Sequence, residues 1–144
     1  MLFLIRFYSY LKALKVLIFE IFLAGKYEAI AEITKEITSS VDKINIIFVT
    51  LDPNRDNKEH LKDYVKYFDS NIIGITGDKI EIKKFAENWG VFYETVNTSN
   101  NNYTINHTAT VFMIDELGNF RGTISWGENE TSVMQKINNL SKLN

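Results

Sequence analysis

Apolar residues recur along this 144-residue chain with two periods, one typical of strands and one typical of helices. Short runs rich in β-branched residues predict buried strands, because a sheet covered on both faces leaves neither side of its central strands exposed. Apolar residues three or four positions apart, with Lys and Glu between them, predict amphipathic helices. The predicted strands are residues 16–19, 44–51, 71–76, 109–114 and 120–126, and the predicted helices are 27–40, 57–68, 79–89 and 129–143.

Three further patterns concern the connections between these elements. Residues 115–119 predict a hairpin turn between the last two strands. Residues 97–102 predict a polar loop, because they contain no core-forming side chain. Asp56, followed three residues later by Glu59, resembles a capping box and predicts that Asp56 caps the helix behind it.

The order of the elements predicts the fold class. Alternating strands and helices, followed by a hairpin and a terminal helix, predict an α/β fold with a mixed β-sheet flanked by helices on both faces. Trp89, Phe92 and Tyr93 are predicted to belong to its core. No repeat or linker divides the chain, so one soluble globular domain is expected.

The first 25 residues are strongly apolar but carry charges at Arg6, Lys12, Lys15 and Glu20. A membrane-spanning helix needs about 20 predominantly apolar residues, and a secretory signal needs an uninterrupted apolar stretch before a cleavage site. The segment shows neither pattern clearly. Two interpretations stay open: membrane contact or targeting through residues 1–25, or an apolar lead-in that ends in a buried first strand. The main domain is predicted to span residues 26–144.

Composition excludes several classes of function. The net charge of -2 and the pI near 5.7 argue against nucleic acid as a partner, because neutralising phosphates requires a concentrated basic face. The chain contains no cysteine, which removes disulfides, thiolate metal ligands and cysteine nucleophiles together.

Five segments, in order and with characteristic spacing, carry a resemblance to a known family. They are residues 48–56 (FVTLDPNRD), 64–68 (YVKYF), 73–77 (IGITG), 89–93 (WGVFY) and 107–115 (HTATVFMID). Together they span the chain from about residue 44 onwards, and the chain resembles the Sco/SenC family of thioredoxin-like proteins.

The resemblance implies a fold, a cargo and a partner. The expected fold is a thioredoxin-like mixed sheet with a C-terminal β-hairpin and helix. The expected ion is copper, and the expected role is non-enzymatic: a copper chaperone that delivers the ion, or adjusts thiol redox state, at the dinuclear copper site of cytochrome c oxidase. The partner would be an oxidase subunit. The expected location is the bacterial inner membrane facing the periplasm, or the mitochondrial inner membrane.

The family holds copper with two cysteines of a Cys-x-x-x-Cys loop and one histidine. The histidine matches His107, and a gapless alignment puts the two cysteine positions at Phe22 and Lys26. Cu(I) is a soft ion that prefers thiolate, whereas Phe22 offers no donor atom and Lys26 is a cation at neutral pH. Disulfide exchange also requires a thiolate. The chain is therefore expected to be impaired in copper binding.

The remaining candidate residues have both a functional and a structural interpretation. Asp52, Arg55 and Asp56 would orient a metal loop or a partner; alternatively, Asp52 pairs with Arg55 while Asp56 caps a helix. His107 would contact a metal, or else it leads a strand and bonds to a neighbouring loop. His60 is expected to be exposed in the first turns of a helix.

Alternatives to the copper-handling assembly factor also remain. One is a metal-free binding module that docks on oxidase subunits through the loops 52–56 and 97–102. Another is the product of a frameshifted or mis-started reading frame, which resequencing the locus for a Cys-x-x-x-Cys frame would reveal. A redox or peroxidase-type enzyme of thioredoxin ancestry is disfavoured, because the chain has no cysteine and no other nucleophile–base pair is visible.

Overall fold

The computed structural model describes residues 15–21, 44–99, 101–108 and 110–143. Ten elements follow one another along this part of the chain. In order, they are β1 (Lys15–Ile21), β2 (Ile44–Thr50), α1 (Lys58–Phe68), β3 (Ile73–Ile75), α2 (Lys79–Asn88), β4 (Tyr93–Thr98), β5 (Asn102–His107), β6 (Thr110–Ile114), β7 (Phe120–Ser125) and α3 (Glu130–Ser141).

Five of the strands form one mixed sheet in the order β3-β2-β1-β6-β7. β1 pairs in parallel with β2, and β2 pairs in parallel with β3. β6 runs antiparallel to both β1 and β7. β4 and β5 lie outside this sheet and form a separate two-stranded antiparallel ribbon.

The sheet separates two apolar layers. One layer packs α2 against the sheet, with Ile82, Phe85 and Ala86 meeting β2 and β6 residues. The other packs α1 and α3 against the opposite face. It contains Leu61, Val65, Val133, Ile137 and Leu140 from the helices, and Ile46, Phe48, Met113 and Ile124 from the strands. Burial of these side chains is the main force that holds the layers together, at roughly 1.5–3 kcal/mol for each fully buried large side chain.

Most of the predicted elements within the described residues are confirmed, and the strand predicted at residues 71–76 is observed over the shorter span Ile73–Ile75. The helix predicted at residues 27–40 lies outside the described residues. The polar loop predicted at residues 97–102 was wrong at both ends, because Asn97 and Thr98 belong to β4 and Asn102 begins β5. Every β4 residue after the half-buried Tyr93 is exposed, so this strand lacks the alternation by which strands are recognised.

The aromatic residues after α2 do not all belong to the core. Trp89 and Tyr93 pack against the α2 layer, as predicted. Phe92, in contrast, is 62% exposed, so the core prediction was wrong for this residue. Gly90 adopts a left-handed conformation with φ of 67° and ends the helix, and the chain then leaves towards the ribbon.

Candidate functional site

Sheet topology brings three separate stretches of chain to one edge of the sheet, the one at which β1 and β2 end. Parallel pairing places the carboxyl ends of β1 and β2 together, with Ile21 opposite Thr50. The antiparallel strand β6 begins at the same edge, because Val111 lies opposite Phe19. The end of β1, the loop that follows β2 and the residues that precede β6 therefore meet there. This is where the sequence resemblance predicted a metal site, although Phe22 and Lys26 themselves lie outside the described residues.

His107 is the last residue of β5 and lies opposite Tyr93 of β4. It is half-buried, and its Nδ1 lies 2.9 Å from the carbonyl oxygen of Thr108. A carbonyl only accepts, so Nδ1 is the donor in this contact. His107 therefore ends a ribbon strand and bonds to the adjoining loop, a placement close to the structural interpretation of this residue.

A cluster of three side chains, here called the Asp52 cluster, joins the loop after β2 to the ribbon. It consists of Asp52, Arg55 and Tyr103. Arg55 Nε donates to Asp52 Oδ2, which confirms the predicted pairing, and the Tyr103 hydroxyl donates to Asp52 Oδ1 at 3.0 Å. Arg55 Nη1 also donates to the Tyr103 carbonyl at 3.0 Å, and its guanidinium carbon lies 4.0 Å from the centre of the Tyr103 ring.

The Asp52 carboxylate is buried, so the hydrogen bonds it accepts matter for stability. Asp52 is only 5% exposed, so its carboxylate depends on protein donors in place of water. Desolvation raises the pKa of Tyr103, and the hydrogen bond to Asp52 raises it further. The tyrosine therefore stays protonated and remains a donor over the neutral range. The cluster fixes the loop and the ribbon relative to each other.

Asp56 does not cap the following helix, so that prediction was wrong. The N-cap of α1 is Asn57, whose Oδ1 accepts from the His60 amide at 2.8 Å. The amide of Asp56 instead donates to the Asp52 carbonyl at 2.9 Å, which places Asp56 in the preceding turn. Its Oδ2 accepts from the Thr50 hydroxyl at 2.5 Å, so the side chain ties the turn back to the end of β2.

A cavity of about 190 Å³ lies between the loop, the first turn of α2 and the ribbon. Its walls include the side chains of Asp52, Tyr93 and Tyr103, and Lys79 stands at the start of α2. Sequence reasoning missed Tyr93 and Tyr103 as site residues. The available signal was weak: Tyr103 is a single aromatic residue in an otherwise polar stretch.

The donors present do not form a metal site of the expected kind. Across the described residues, no group of three or more His, Asp or Glu side chains is close enough to hold an ion. His60 is exposed, as predicted, and its Nδ1 contacts the Arg55 carbonyl. The full sequence supplies no thiolate. The residues present therefore do not fit a soft monovalent copper ion.

Comparison with known proteins decides the family. The family model described as SCO1/SenC matches residues 25–142. The chain belongs to the SCO1/SenC family. This confirms the resemblance read from the five segments.

Curated relatives align over part of their length. An SCO2-like protein of Rickettsia prowazekii is 41% identical over 83 residues, which cover 55% of this chain and 40% of that protein. A mitochondrial SCO1 homologue of Arabidopsis thaliana is 35% identical over 74 residues, covering 51% and 27% respectively. The chain thus matches two fifths or less of the length of these relatives.

Solved structures confirm the thioredoxin-like Sco fold. The copper-bound ScoI of Bradyrhizobium japonicum has a TM-score of 0.78 and 27% identity, with 92% of this chain and 88% of that chain covered. Copper-bound yeast Sco1 has a TM-score of 0.80 over 95% of this chain and 81% of that chain, and its 20% identity makes it evidence for the fold alone. Within the ranges that the structure describes, no helix has both the length and the apolar character required to span a membrane.

Proposed function

We propose that this chain is a non-enzymatic Sco/SenC protein of cytochrome c oxidase assembly that has lost stable Cu(I) binding. A solved family member is described as belonging to the Sco family of cytochrome c oxidase assembly proteins, and other solved members hold copper. The partner is then the oxidase subunit with the dinuclear copper site, and the location is the membrane face on which the oxidase is assembled. The proposed loss of Cu(I) binding rests on one observation: none of the 144 residues is a cysteine.

The chemistry of the donors explains the loss. Thiolates provide both affinity for Cu(I) and selectivity against abundant hard cations. A single imidazole from His107 supplies one ligand without selectivity. Lys26, at the second family cysteine position, adds a positive charge that repels the ion. Thiol redox activity fails for the same reason, because disulfide exchange begins with attack by a thiolate.

Competition for Cu(I) against a chromophoric chelator tests this proposal directly. We expect the wild-type chain and His107→Ala to withdraw the same small amount of copper from the chelator. His60→Ala is the matched control, because it removes the other histidine of the chain from an exposed helix position. Tight, stoichiometric uptake that disappears in His107→Ala and persists in His60→Ala would contradict the proposal.

A gain-of-function variant tests whether the scaffold itself is intact. We expect Phe22→Cys with Lys26→Cys to bind one Cu(I) tightly, and the additional His107→Ala change to weaken that binding. Phe22→Ser with Lys26→Ser is the control, because it makes the same positions small and polar without thiols. If the folded double-cysteine variant binds no better than the double-serine variant, the gapless placement of the family loop is wrong.

A second candidate function, docking without metal, is favoured by the Asp52 cluster. Arg55, in the proposed docking loop 52–56, contacts Tyr103, the residue after the proposed docking segment 97–102. The two docking segments therefore lie next to each other. Surface plasmon resonance with the purified copper-site domain of the oxidase subunit tests this idea. Docking predicts binding that His107→Ala leaves unchanged and that Asn54→Arg, at an exposed loop position, weakens. Equal binding by Asn54→Arg would argue against docking through this loop.

A further inference from the structure

The cavity beside the Asp52 cluster has a buried apolar side and an exposed polar rim. Three apolar residues that line it are at most 5% exposed: Leu51, Ile82 and Ile105. Three polar residues that line it are exposed: Asn54, Lys79 and Thr95. Sites for small molecules are divided in the same way, with apolar walls that supply the free energy of burial and a few polar groups that fix orientation. The cavity is therefore a candidate site for a small ligand.

The volume of the cavity sets the size of that ligand. About 190 Å³ is available, and an apolar cavity of about 150 Å³ is enough to bind benzene. One six-membered ring with one or two small substituents therefore fits, whereas a fused ring system would extend beyond the cavity. Tyr93 and Tyr103 also stand in the walls, and contacts between aromatic rings add to the free energy gained from burial. Size and lining together favour a single aromatic ring.

The charges around the cavity favour a neutral ligand. Among the described residues that line it, Asp52 is acidic and Lys79 is basic, and Arg55 pairs with Asp52. An anion would be repelled by the buried carboxylate, and a cation would be repelled by Lys79 and Arg55. Asp78 and Glu81, beside Lys79 in the first turn of α2, offset its attraction for an anion. A charged ligand would also lose its hydration on entering, a cost that a neutral ring avoids.

Asp52 determines which polar group such a ring carries. Its two carboxylate oxygens accept from Arg55 Nε and from the Tyr103 hydroxyl, one bond on each oxygen. A carboxylate oxygen can accept two hydrogen bonds, and an ionised carboxylate donates none. A ligand that reaches Asp52 must therefore supply the donor, and a hydrogen bond to a charged acceptor is stronger than one between neutral groups. A hydroxyl group on the ring is the simplest neutral donor that fits.

We propose that this cavity binds the neutral ring of a phenol, with its hydroxyl donating to Asp52 and its ring packed against Ile82, Ile105 and the two tyrosines. A phenol group has a pKa of about 10, so it stays neutral and keeps its proton at pH 7. Two sources present this chemistry: a free phenol, and the tyrosine side chain of a polypeptide. Such binding requires neither copper nor the oxidase subunit, so it is independent of the functions proposed above.

Titration of the full chain with p-cresol, followed by NMR at pH 7, tests the site. p-Cresol has the structure of the tyrosine side chain, and we expect it to bind with a Kd on the order of a millimolar and to shift the signals of Ile82 and Ile105. Toluene is the matched control ligand, because it keeps the ring and the methyl group and lacks the hydroxyl. It should bind at least about tenfold more weakly. The charged analogues 4-methylbenzoate and 4-methylbenzylamine should also bind more weakly than p-cresol. The proposal is overturned if p-cresol does not bind, if toluene binds equally well, or if either charged analogue binds more tightly.

Two variants locate the bound ring. Thr95→Trp places an indole at the rim of the cavity and should weaken p-cresol binding at least about tenfold. Val96→Trp is the matched control, because successive strand residues point to opposite faces and Val96, which is 37% exposed, does not line the cavity. Equal binding by the two folded variants would refute the site. The comparison of ligands on the wild-type chain decides the proposal if either variant fails to fold.

N-Acetyltyrosinamide distinguishes the two sources of the phenol. If this amide binds at least as tightly as p-cresol, the cavity accepts a tyrosine side chain while the backbone stays outside, and the result supports a polypeptide as the source. If p-cresol binds and the amide does not, the result supports a free phenol.

Discussion

The Asp52 cluster gives the most direct test of how the loop after β2 is tied to the ribbon. Tyr103→Phe removes one hydroxyl and keeps the aromatic ring. The contact between the Arg55 guanidinium and the ring therefore persists, and so does the bond from Arg55 Nη1 to the backbone carbonyl of residue 103. The change removes the 3.0 Å hydrogen bond to Asp52 Oδ1, on a carboxylate that is 5% exposed.

The magnitude follows from what that bond joins. A hydrogen bond to a charged group contributes about 1.5–3 kcal/mol to stability, and removing its donor leaves the buried acceptor without compensation from water. Asp52 keeps its ion pair with Arg55, so we expect a loss of about 2 kcal/mol in the free energy of unfolding. For a domain of this size, each kcal/mol lowers Tm by about 2–4 °C, which gives a decrease of about 4–8 °C.

Urea denaturation followed by circular dichroism, together with calorimetry, measures both quantities. Tyr67→Phe is the control, because Tyr67 is 76% exposed on α1 and its substitution should change stability by less than about 0.5 kcal/mol. The reasoning fails if Tyr103→Phe and Tyr67→Phe have equal effects. It also fails if hydrogen exchange of β4 and β5 amides is unchanged in Tyr103→Phe, since the cluster is then not what holds the ribbon.

Three other outcomes are expected. Gly74→Ala should lower the free energy of unfolding measured in urea by about 1–3 kcal/mol, because the added Cβ would lie 2.7 Å from Leu61 Cγ. An unchanged midpoint of the urea transition would show that Leu61 on α1 moves away at little cost. Burial alone would raise the pKa of Asp115, but hydrogen bonds from Asn119 in its turn and from Arg121 outweigh burial and lower the pKa below 3.8. The wild-type chain should therefore be more stable than Asp115→Asn by a constant amount above pH 3.8, and by less as the pH falls below it. A constant difference in acid would contradict this. The raised pKa of Tyr103 gives stability that is complete below pH 10.0 and is lost as the pH rises through the pKa of the folded state. The difference between the ultraviolet titration curves of the wild-type chain and Tyr103→Phe should correspond to one phenol that titrates above pH 10.0.

Local periodicity was sufficient to predict most of the main sheet and its helices. Strands such as β2 are short runs rich in β-branched residues, and α3 places Val133, Ile137 and Leu140 on one face at helical spacing. Each of these patterns reflects burial against a layer, and burial decides which residue types are tolerated. The resemblance carried by the family segments added the expectation of a thioredoxin-like sheet, which periodicity alone does not specify.

The predictions that failed depend on contacts between residues far apart in sequence, or on competition between neighbouring groups. The ribbon is stabilised by backbone pairing and buries only Ile105 fully, so its polar sequence resembles a loop. Asp56 does not cap α1, because Asn57, one residue later, is the N-cap. Tyr103 joins the site through partners 48 and 51 residues away, a distance at which a single sequence carries no pattern.

The separation between fold and chemistry in this chain has a physical basis. The geometry of the candidate site is set by backbone pairing, with β1 in register with β2 and β6, and these pairings use no side chain that binds metal. The described core consists of apolar residues on both faces of the sheet, so the burial of apolar surface stabilises it. The sequence resemblance predicts the family loop at residues 21–26; Ile21 is the end of β1, where the loop after β2 and the residues before β6 also meet. We proposed that the two family cysteine positions fall at Phe22 and Lys26; cysteines there would add ligands without altering these backbone pairings, so the Phe22→Cys with Lys26→Cys variant tests the chemistry of the site on an existing scaffold.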